Sequence, residues 1–421
     1  MDKNKRAYLV LFSIVFIDMV GFGIIIPLLP YYGQIFSNEI SLIGSWLGLN
    51  TQPEGLVIAI LFSIYSLMQL IFSPIWGKLS DKYGRKTILI WNAAGSVLSF
   101  IIFGIAGTLW VLIFSRVIQG ITGAKIATAQ AYIADITTAE KRAAGMGMIG
   151  AGIGLGFVFG PAITGILISF ETNVLSSPFF DQLLQHNIYS LPGYFAALLA
   201  LVNVGMIYFM LEEPEKHTDS AVAKHNFNLD YFRKAFRNKE IGQLLLIVFL
   251  STAAFSAMES TFALWGNAAL GIDEKTNSYL FAYIGVLIAV NQGFIVGRMA
   301  TWLGEKRLIF LGTGLLMIGL FLIPFAQSVG ILMLFLVLLA FGSGINTPSL
   351  QSLVSQASSA EDIGGTMGIS QSTSSFARII GPIIGGWAFD VLGISSPFLV
   401  SAGIMFLASL VALRFLFRKN S

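Results

Sequence analysis

Residues 308–360 run for 53 positions without an Asp, Glu, Lys or Arg. Soluble domains, in which about a quarter of the residues are charged, do not sustain such a run. It is too long for a single crossing of a ~30 Å hydrocarbon layer, which takes about 20 residues. It suits two crossings joined by the turn "FAQSVG" at 325–330. Residues 143–170, 187–211 and 391–413 are also free of charge, in a chain that is 55% hydrophobic and 11% charged. Backbone polar groups in lipid must be paired within the segment, so runs of this length select helices. Periodicity, charge and punctuation predict twelve spans: 7–32, 56–76, 87–107, 109–131, 144–169, 192–211, 241–268, 277–297, 307–325, 330–352, 364–389 and 396–416. The expected fold class is an all-α integral membrane protein.

The first span follows the basic start "MDKNKR". Its apolar stretch is too long for a signal peptide, and no small-residue cleavage site precedes Tyr31 and Tyr32. With the N-terminus inside, 21 of the 25 Lys and Arg fall in inner loops and tails, Lys275 alone in an outer loop, and Arg116, Lys125 and Arg378 within spans. The positive-inside rule then puts both termini in the cytoplasm of a multi-pass protein of the cell membrane. There is no cysteine, which removes thiolate metal sites, redox pairs and disulfides from consideration.

Residues 212–240 form the one long polar stretch and divide the chain near its middle. The expected division is an N-terminal six-helix bundle at 1–212, a linker at 213–240 and a C-terminal six-helix bundle at 241–421. Internal similarity supports a duplication. "GKLSDKYGRK" (77–86) returns as "GRMATWLGEKR" (297–307), and "GPAITG" (160–165) as "GPIIGG" (381–386). Glu140 with Met146–Gly147 returns as Glu361 with Met367–Gly368, at the same offset of about 221 residues. Parallel repeats of this kind build transporters whose substrate site lies near mid-membrane.

Several stretches resemble the major facilitator superfamily, over almost the full length. Gly77-x-x-x-Asp81-Lys82-x-Gly84-Arg85-Lys86 is similar to the superfamily's signature between spans 2 and 3. "SRVIQGITGA" (115–124) resembles its fourth-span motif, built on Arg116, Gln119 and Gly120. "GAGIGLGFVFGPAITG" (150–165) resembles the fifth-span antiporter motif ending in Gly160–Pro161. "AYIADIT" (131–137), "GSGINTPSLQ" (342–351) and "LGEKR" (303–307) add likeness to the tetracycline-efflux branch of its twelve-span drug–proton antiporters. The resemblance implies two pseudo-symmetric six-helix bundles. It also implies a charge network at 77–86 that holds the cytoplasmic ends of the halves together in the outward-facing state, with Asp135 as a further partner for Arg85.

Read from the residues alone, that loop is at least a topology anchor. Gly77 and Gly84 permit close approach or a tight turn, and Asp81 and Arg85 are neighbours if the stretch is helical. Thr301 and Glu305 replace Asp81 and Arg85 in the second copy, so no equal role is expected there.

Ionisable groups inside the bilayer are costly and mark function by default. Asp18 lies about eleven residues into span 1, roughly 16 Å deep at 1.5 Å per residue. It precedes Gly21, Gly23, Pro27 and Pro30, which make the helix deformable. Two readings stand: a proton carrier, or an acid permanently ionised against Arg116. Arg116, Gln119, Gly120 and Gly123 share one face of span 4. Lys125, half a turn round on a continuous helix, either lines the cavity or snorkels to the surface. Glu259 and Arg378 form a buried pair or separate cavity contacts, with Gln371 on the face of Arg378. Gly152, Gly156, Gly160 and Pro161 pack a tight seam, which in the functional version gates between the halves. His186, His217 and His225 all fall in loops, so histidine is not the membrane proton relay.

The expected function is a proton-coupled antiporter exporting small amphipathic compounds by alternating access. Asp18, Arg116 and Glu259 would couple the proton. Tyr65, Gln69, Gln119, Lys125, Trp265, Tyr283, Asn291, Gln292, Asn346, Gln371 and Arg378 would line the cavity. A proton-coupled symporter and a lipid or glycolipid antiporter are the alternatives. No enzymatic constellation, phosphate-binding loop, cofactor, metal or nucleic-acid partner is expected, and the chain is expected to work as a monomer.

Overall fold

A computed structural model describes residues 3–46, 53–123, 125–136, 139–174, 189–214, 238–358 and 363–417. Among them all regular structure is helical, and twelve helical stretches are long and apolar enough to cross a membrane. The major helices are α1 (Lys3–Ile25), α2 (Glu54–Tyr83), α3 (Arg85–Gly104), α4 (Leu109–Ile121), α5 (Lys125–Ile136), α6 (Ala139–Val174) and α7 (Ser190–Met210), then α8 (Lys239–Leu270), α9 (Glu274–Val290), α10 (Val296–Leu303), α11 (Glu305–Leu322), α12 (Val329–Gln356), α13 (Ile363–Leu392) and α14 (Ser396–Leu416). The predicted linker lies almost wholly outside the described residues, as do the three histidines and Glu361.

Local chemistry explains the ends. Thr108, Asn238 and Ser328 cap α4, α8 and α12 by accepting from backbone N–H groups one turn on. Past Ile25 the first span tightens into a 3-10 turn at Ile26–Tyr31, where Pro27 and Pro30 remove backbone donors. Between α9 and α10 the eighth span widens to a π-helical turn at Asn291–Ile295. The sequence "GKLSDKYGRK" is no loop for most of its length: α2 runs through Tyr83, and only Gly84 interrupts the helix, with φ +99°. Gly304 makes the same interruption before α11, with φ +76°. Both positions need a residue without a Cβ.

Contacts divide the chain into two units. Among the described residues, the first gathers those of Met1–Phe36, Ile64–Ala223 and Glu274–Ala282, and the second those of Ser37–Ser63, Lys224–Asp273 and Tyr283–Ser421. The division follows the two halves of the sequence except at two stretches, because of what those stretches touch. In the second unit, the Asp390 carboxylate accepts from Gly55 N–H and Leu56 N–H at 2.8 Å each, and Ser63 Oγ donates to the Ile379 carbonyl at 2.8 Å. In the first, Asn277 Nδ2 donates to the Pro27 carbonyl at 3.1 Å.

The halves share a packing plan. In the first unit α1 packs on α6, and α3 on α7. A Cβ at Gly156 would lie 2.3 Å from Met19 Cβ, and one at Gly160 2.7 Å from the Gly23 backbone. In the second unit α8 packs on α13, and α11 on α14. There a Cβ at Gly381 would lie 2.4 Å from the Ala253 carbonyl, and one at Gly385 2.9 Å from that of Ala257. The apolar core of the first unit gathers Val10, Leu11, Ile14, Leu89, Ile133 and Ile207; that of the second gathers Leu244, Ile247, Ile309, Leu353, Val354 and Phe415.

Candidate functional site

Asp18 lies mid-helix in α1 and is 9% exposed. Its carboxylate pairs with the Lys125 ammonium, which also donates to Ser96 Oγ of α3 at 2.6 Å. Lys125 is 1% exposed and so does not snorkel. A fourth span continuous through Lys125, as the sequence predicts, would turn that side chain away from this core. The helix in fact stops at Ile121 and restarts at Lys125. Gly123 N–H bonds the Gly120 carbonyl in a tighter turn, at 3.2 Å. Carbonyls freed at such a terminus need partners. α2 supplies two: Trp76 Nε1 donates to the Ile121 carbonyl at 2.6 Å and Gln69 Nε2 to the Gly123 carbonyl at 3.0 Å.

Arg116 is not the partner of Asp18. Its guanidinium donates to Gln119 Oε1 and lies over the rings of Tyr65 and Phe22, at 5.0 and 5.8 Å from their centroids. Such cation–π contacts are strongest when desolvated, and Arg116 is 1% exposed. Tyr65, Gln69, Arg116 and Gln119 therefore form one cluster within the first unit, with Gln69 Nε2 also 3.4 Å from Tyr65 Oη.

The candidates of the second unit do not form one cluster. Trp265 is fully buried against Phe262 and Phe398, and its indole N–H has no hydrogen-bond partner among the described residues. Aromatic side chains at helical spacing read alike in a core and in a cavity wall. Asn291, in the π turn, is also fully buried and donates to the Phe341 carbonyl at 2.9 Å, in space left by the missing side chain of Gly344. Asn346 is 2% exposed and meets Gly312 of α11. Tyr283 and Glu259 are half-buried, whereas Gln292, Gln371 and Arg378 are left uncovered by protein. Among the described residues, no ion pair within 4.0 Å joins Glu259 to Arg378.

At the loop, Arg85 bonds the Asp135 carboxylate through Nε at 2.9 Å, the Asp81 carboxylate at 2.7 Å and Ser80 Oγ at 2.5 Å. Lys86 Nζ donates to the Tyr208 carbonyl at 2.9 Å, and Gly77 has open space where a side chain would stand. The Glu213 carboxylate caps α3, accepting from Arg85 N–H and, at 3.0 Å, from Lys86 N–H. In the second half Glu305, at the position of Arg85, accepts from Ser352 Oγ at 2.5 Å and Gln356 Nε2 at 2.8 Å. Gln356 stands 221 residues after Asp135, so the repeated geometry survives with its charges changed.

The glycine seam faces α1 inside the first unit, through Gly152 against Phe12, Gly156 against Met19 and Gly160 against Gly23, while Thr164 Oγ1 donates to the Ile24 carbonyl at 2.8 Å. Packing is what these contacts do. Sequence reasoning missed Ser96, Glu213 and Asp390. Asp390 carried a signal, since an acid in the last turn of its own helix opposes that helix's dipole and suits another helix's N-terminus.

A family model described as Major Facilitator Superfamily matches residues 11–327 and 292–421. "Tetracycline resistance protein, class B" of Escherichia coli is 29% identical over 388 residues, covering 91% of this chain and 88% of that protein. "Multidrug resistance protein 2" of Bacillus subtilis (strain 168) is 29% identical over 413 residues, covering 96% and 94%. Among solved structures, that of the human organic anion transporter MFSD10 (TETRAN) superposes with a TM-score of 0.71 at 22% identity, covering 98% of this chain and all of the other. That of a bacterial homolog to the human lysosomal transporter Spinster, inward-facing and unoccupied, gives 0.74 at 14% identity, covering both chains fully. At these identities the structures speak for the fold alone.

Proposed function

The chain belongs to the Major Facilitator Superfamily, and on that premise we propose that it is a proton-coupled antiporter exporting small amphipathic compounds by alternating access. It is a multi-pass membrane transporter and not an enzyme. The drug side of the reading is supported by full-length similarity to proteins named for tetracycline and multidrug resistance. One observation carries the proton side: a carboxylate, Asp18, buried at mid-span beside the Lys125 ammonium. Burial disfavours the ionised form of an acid and an adjacent cation favours it. Such a pair can take up and release a proton as its surroundings change. A membrane potential contributes about 2.3 kcal/mol per charge per 100 mV, so one proton drives an appreciable gradient.

Glu259 is a second in-membrane acid for the same traffic. The cluster of Tyr65, Gln69 and Gln119, in which Gln69 is half-buried and the other two are covered, supports an aromatic and amide wall for amphipathic ligands in the first unit. The protein acts in the cell membrane as a single chain, with both termini in the cytoplasm. The Arg85, Asp81 and Asp135 cluster serves as the conformational switch on that side.

The test is ligand-induced proton release at neutral pH in proteoliposomes, over a panel of drugs that includes tetracyclines. Release by at least one compound, with uphill export of that compound abolished in Asp18→Asn, is the expected result. Proton movement in the direction of the solute would establish a symporter instead. Undiminished uphill export by a variant lacking both Asp18 and Glu259 would end the proposal.

A further inference from the structure

Lys125 fits neither a cavity wall nor a surface anchor. Its ammonium lies in the core of the first unit and meets Asp18 there. The break between Ile121 and Lys125 aims it, and α2 side chains hold that break in place.

We propose that Lys125 is the positioning residue of the proton step. It holds Asp18 ionised, and Asp18 takes a proton only when the Lys125 charge is met by another group. This rests on the reading of Asp18 as the coupling acid. In a low-dielectric interior two opposite charges in contact are tolerated, while either one alone is strongly disfavoured. Protonating Asp18 in place would leave the Lys125 ammonium with a neutral acid and the Ser96 hydroxyl.

Among the described residues the neighbouring helices offer no second carboxylate to this pair, only the buried neutral amides of Asn92 on α3 and Asn203 on α7. α6 meets α1 through Gly152, Gly156 and Gly160. α7 contributes the Asn203 amide, which donates to the Ile14 carbonyl one turn from Asp18 at 3.0 Å. On α4, Arg116 is a second cation, turned to Gln119 and the faces of Tyr65 and Phe22. On α5, Tyr132 donates to the Glu212 carbonyl, and Asp135 is taken up by Arg85, as is Asp81 of α2. A compensating charge is therefore reached only when Lys125 moves away from Asp18. Proton uptake and that movement are linked, each favouring the other to the same extent. A ligand that favours the Asp18–Lys125 contact therefore expels the proton, which is the sign that exchange requires.

Infrared titration of the purified protein reads the protonated carboxyl band of Asp18 directly, without a transported ligand. The band is assigned by difference between each protein and the same protein carrying Asp18→Asn. In Lys125→Met the Asp18 band is expected to persist to a pH ~1 to 3 units higher than in the unmodified protein. The sign follows from losing the charge that favours the ionised form. Lys125→Arg is expected to return the midpoint towards that of the unmodified protein. If Lys125→Met does not fold, Lys125→Gln keeps a donor for Ser96 and reads the same shift. An unchanged midpoint, no Asp18 band in the neutral variant, or an arginine variant behaving like the methionine one would each overturn the proposal. Persistence of uphill export in Asp18→Asn would instead refute Asp18 as the coupling acid, leaving the measured charge pairing to stand or fall on its own band.

Discussion

Arg85 divides its guanidinium between two carboxylates of unequal exposure, Asp81 at 65% and Asp135 at 17%. The exposed bond is worth little to stability, about 0–1 kcal/mol, and the covered one more, about 1–3 kcal/mol. Asp135→Ala is expected to lower the unfolding temperature in detergent by clearly more than Asp81→Ala. Asp81→Asn is expected to abolish transport while leaving membrane insertion intact. Normal transport by that variant would reduce the cluster to a topology anchor. The Arg85–Asp135 contact was legible in the sequence, because both residues sit at helix ends on the same side of the membrane within one resembled motif set. The Asp18–Lys125 contact was not. One tightened turn at Gly123 changes the phase of everything after it, and the glycines of "GITGAK" read equally well as close packing within a continuous span. The surroundings of Trp265 were not legible for a different reason: an aromatic residue at helical spacing reads the same whether it lines a cavity or fills a core.

Helix positions were legible to within a few residues for most spans, since they follow from charge-free length, but where a helix continues past its apolar part was not. α2 carries Gly77–Tyr83 as helix, and the change of direction falls on Gly84 alone. A Cβ there would face both φ +99° and the Glu213 carboxyl at 2.7 Å. Gly84→Ala is expected to cost about 1–3 kcal/mol by thermal unfolding. Gly304→Ala meets the dihedral penalty without the clash, since open space surrounds that position. Gly156→Ala is expected to destabilise by about 1–3 kcal/mol through overpacking against Met19, whereas Gly150→Ala and Gly154→Ala, which meet open space, are expected to be neutral. Equal effects at all three would mean that the seam has no packing role. Asp390→Ala, which frees the first N–H groups of α2, is expected to cost about 0.5–2 kcal/mol.

For the molecule as a whole, the duplication was legible because its markers recur at a nearly constant offset, and the packing repeats it: Gly156 and Gly160 on α1, Gly381 and Gly385 on α8. The allotment of Ser37–Ser63 and Glu274–Ala282 was not legible, since it depends on which distant residues these stretches meet. The sidedness read from Lys and Arg can be tested without background, because the chain has no cysteine. A single cysteine replacing the exposed Thr301 is expected to react with an impermeant thiol reagent from the cytoplasmic side only, and one replacing the exposed Gln327 from the opposite side only. The reverse pattern would overturn the orientation. No side chain separates Gly23 from Gly160, so α1 and α6 meet backbone to backbone. Any residue bulkier than glycine at either position is expected to wedge the two apart, which makes the spacing of this pair a property that one methyl group resets.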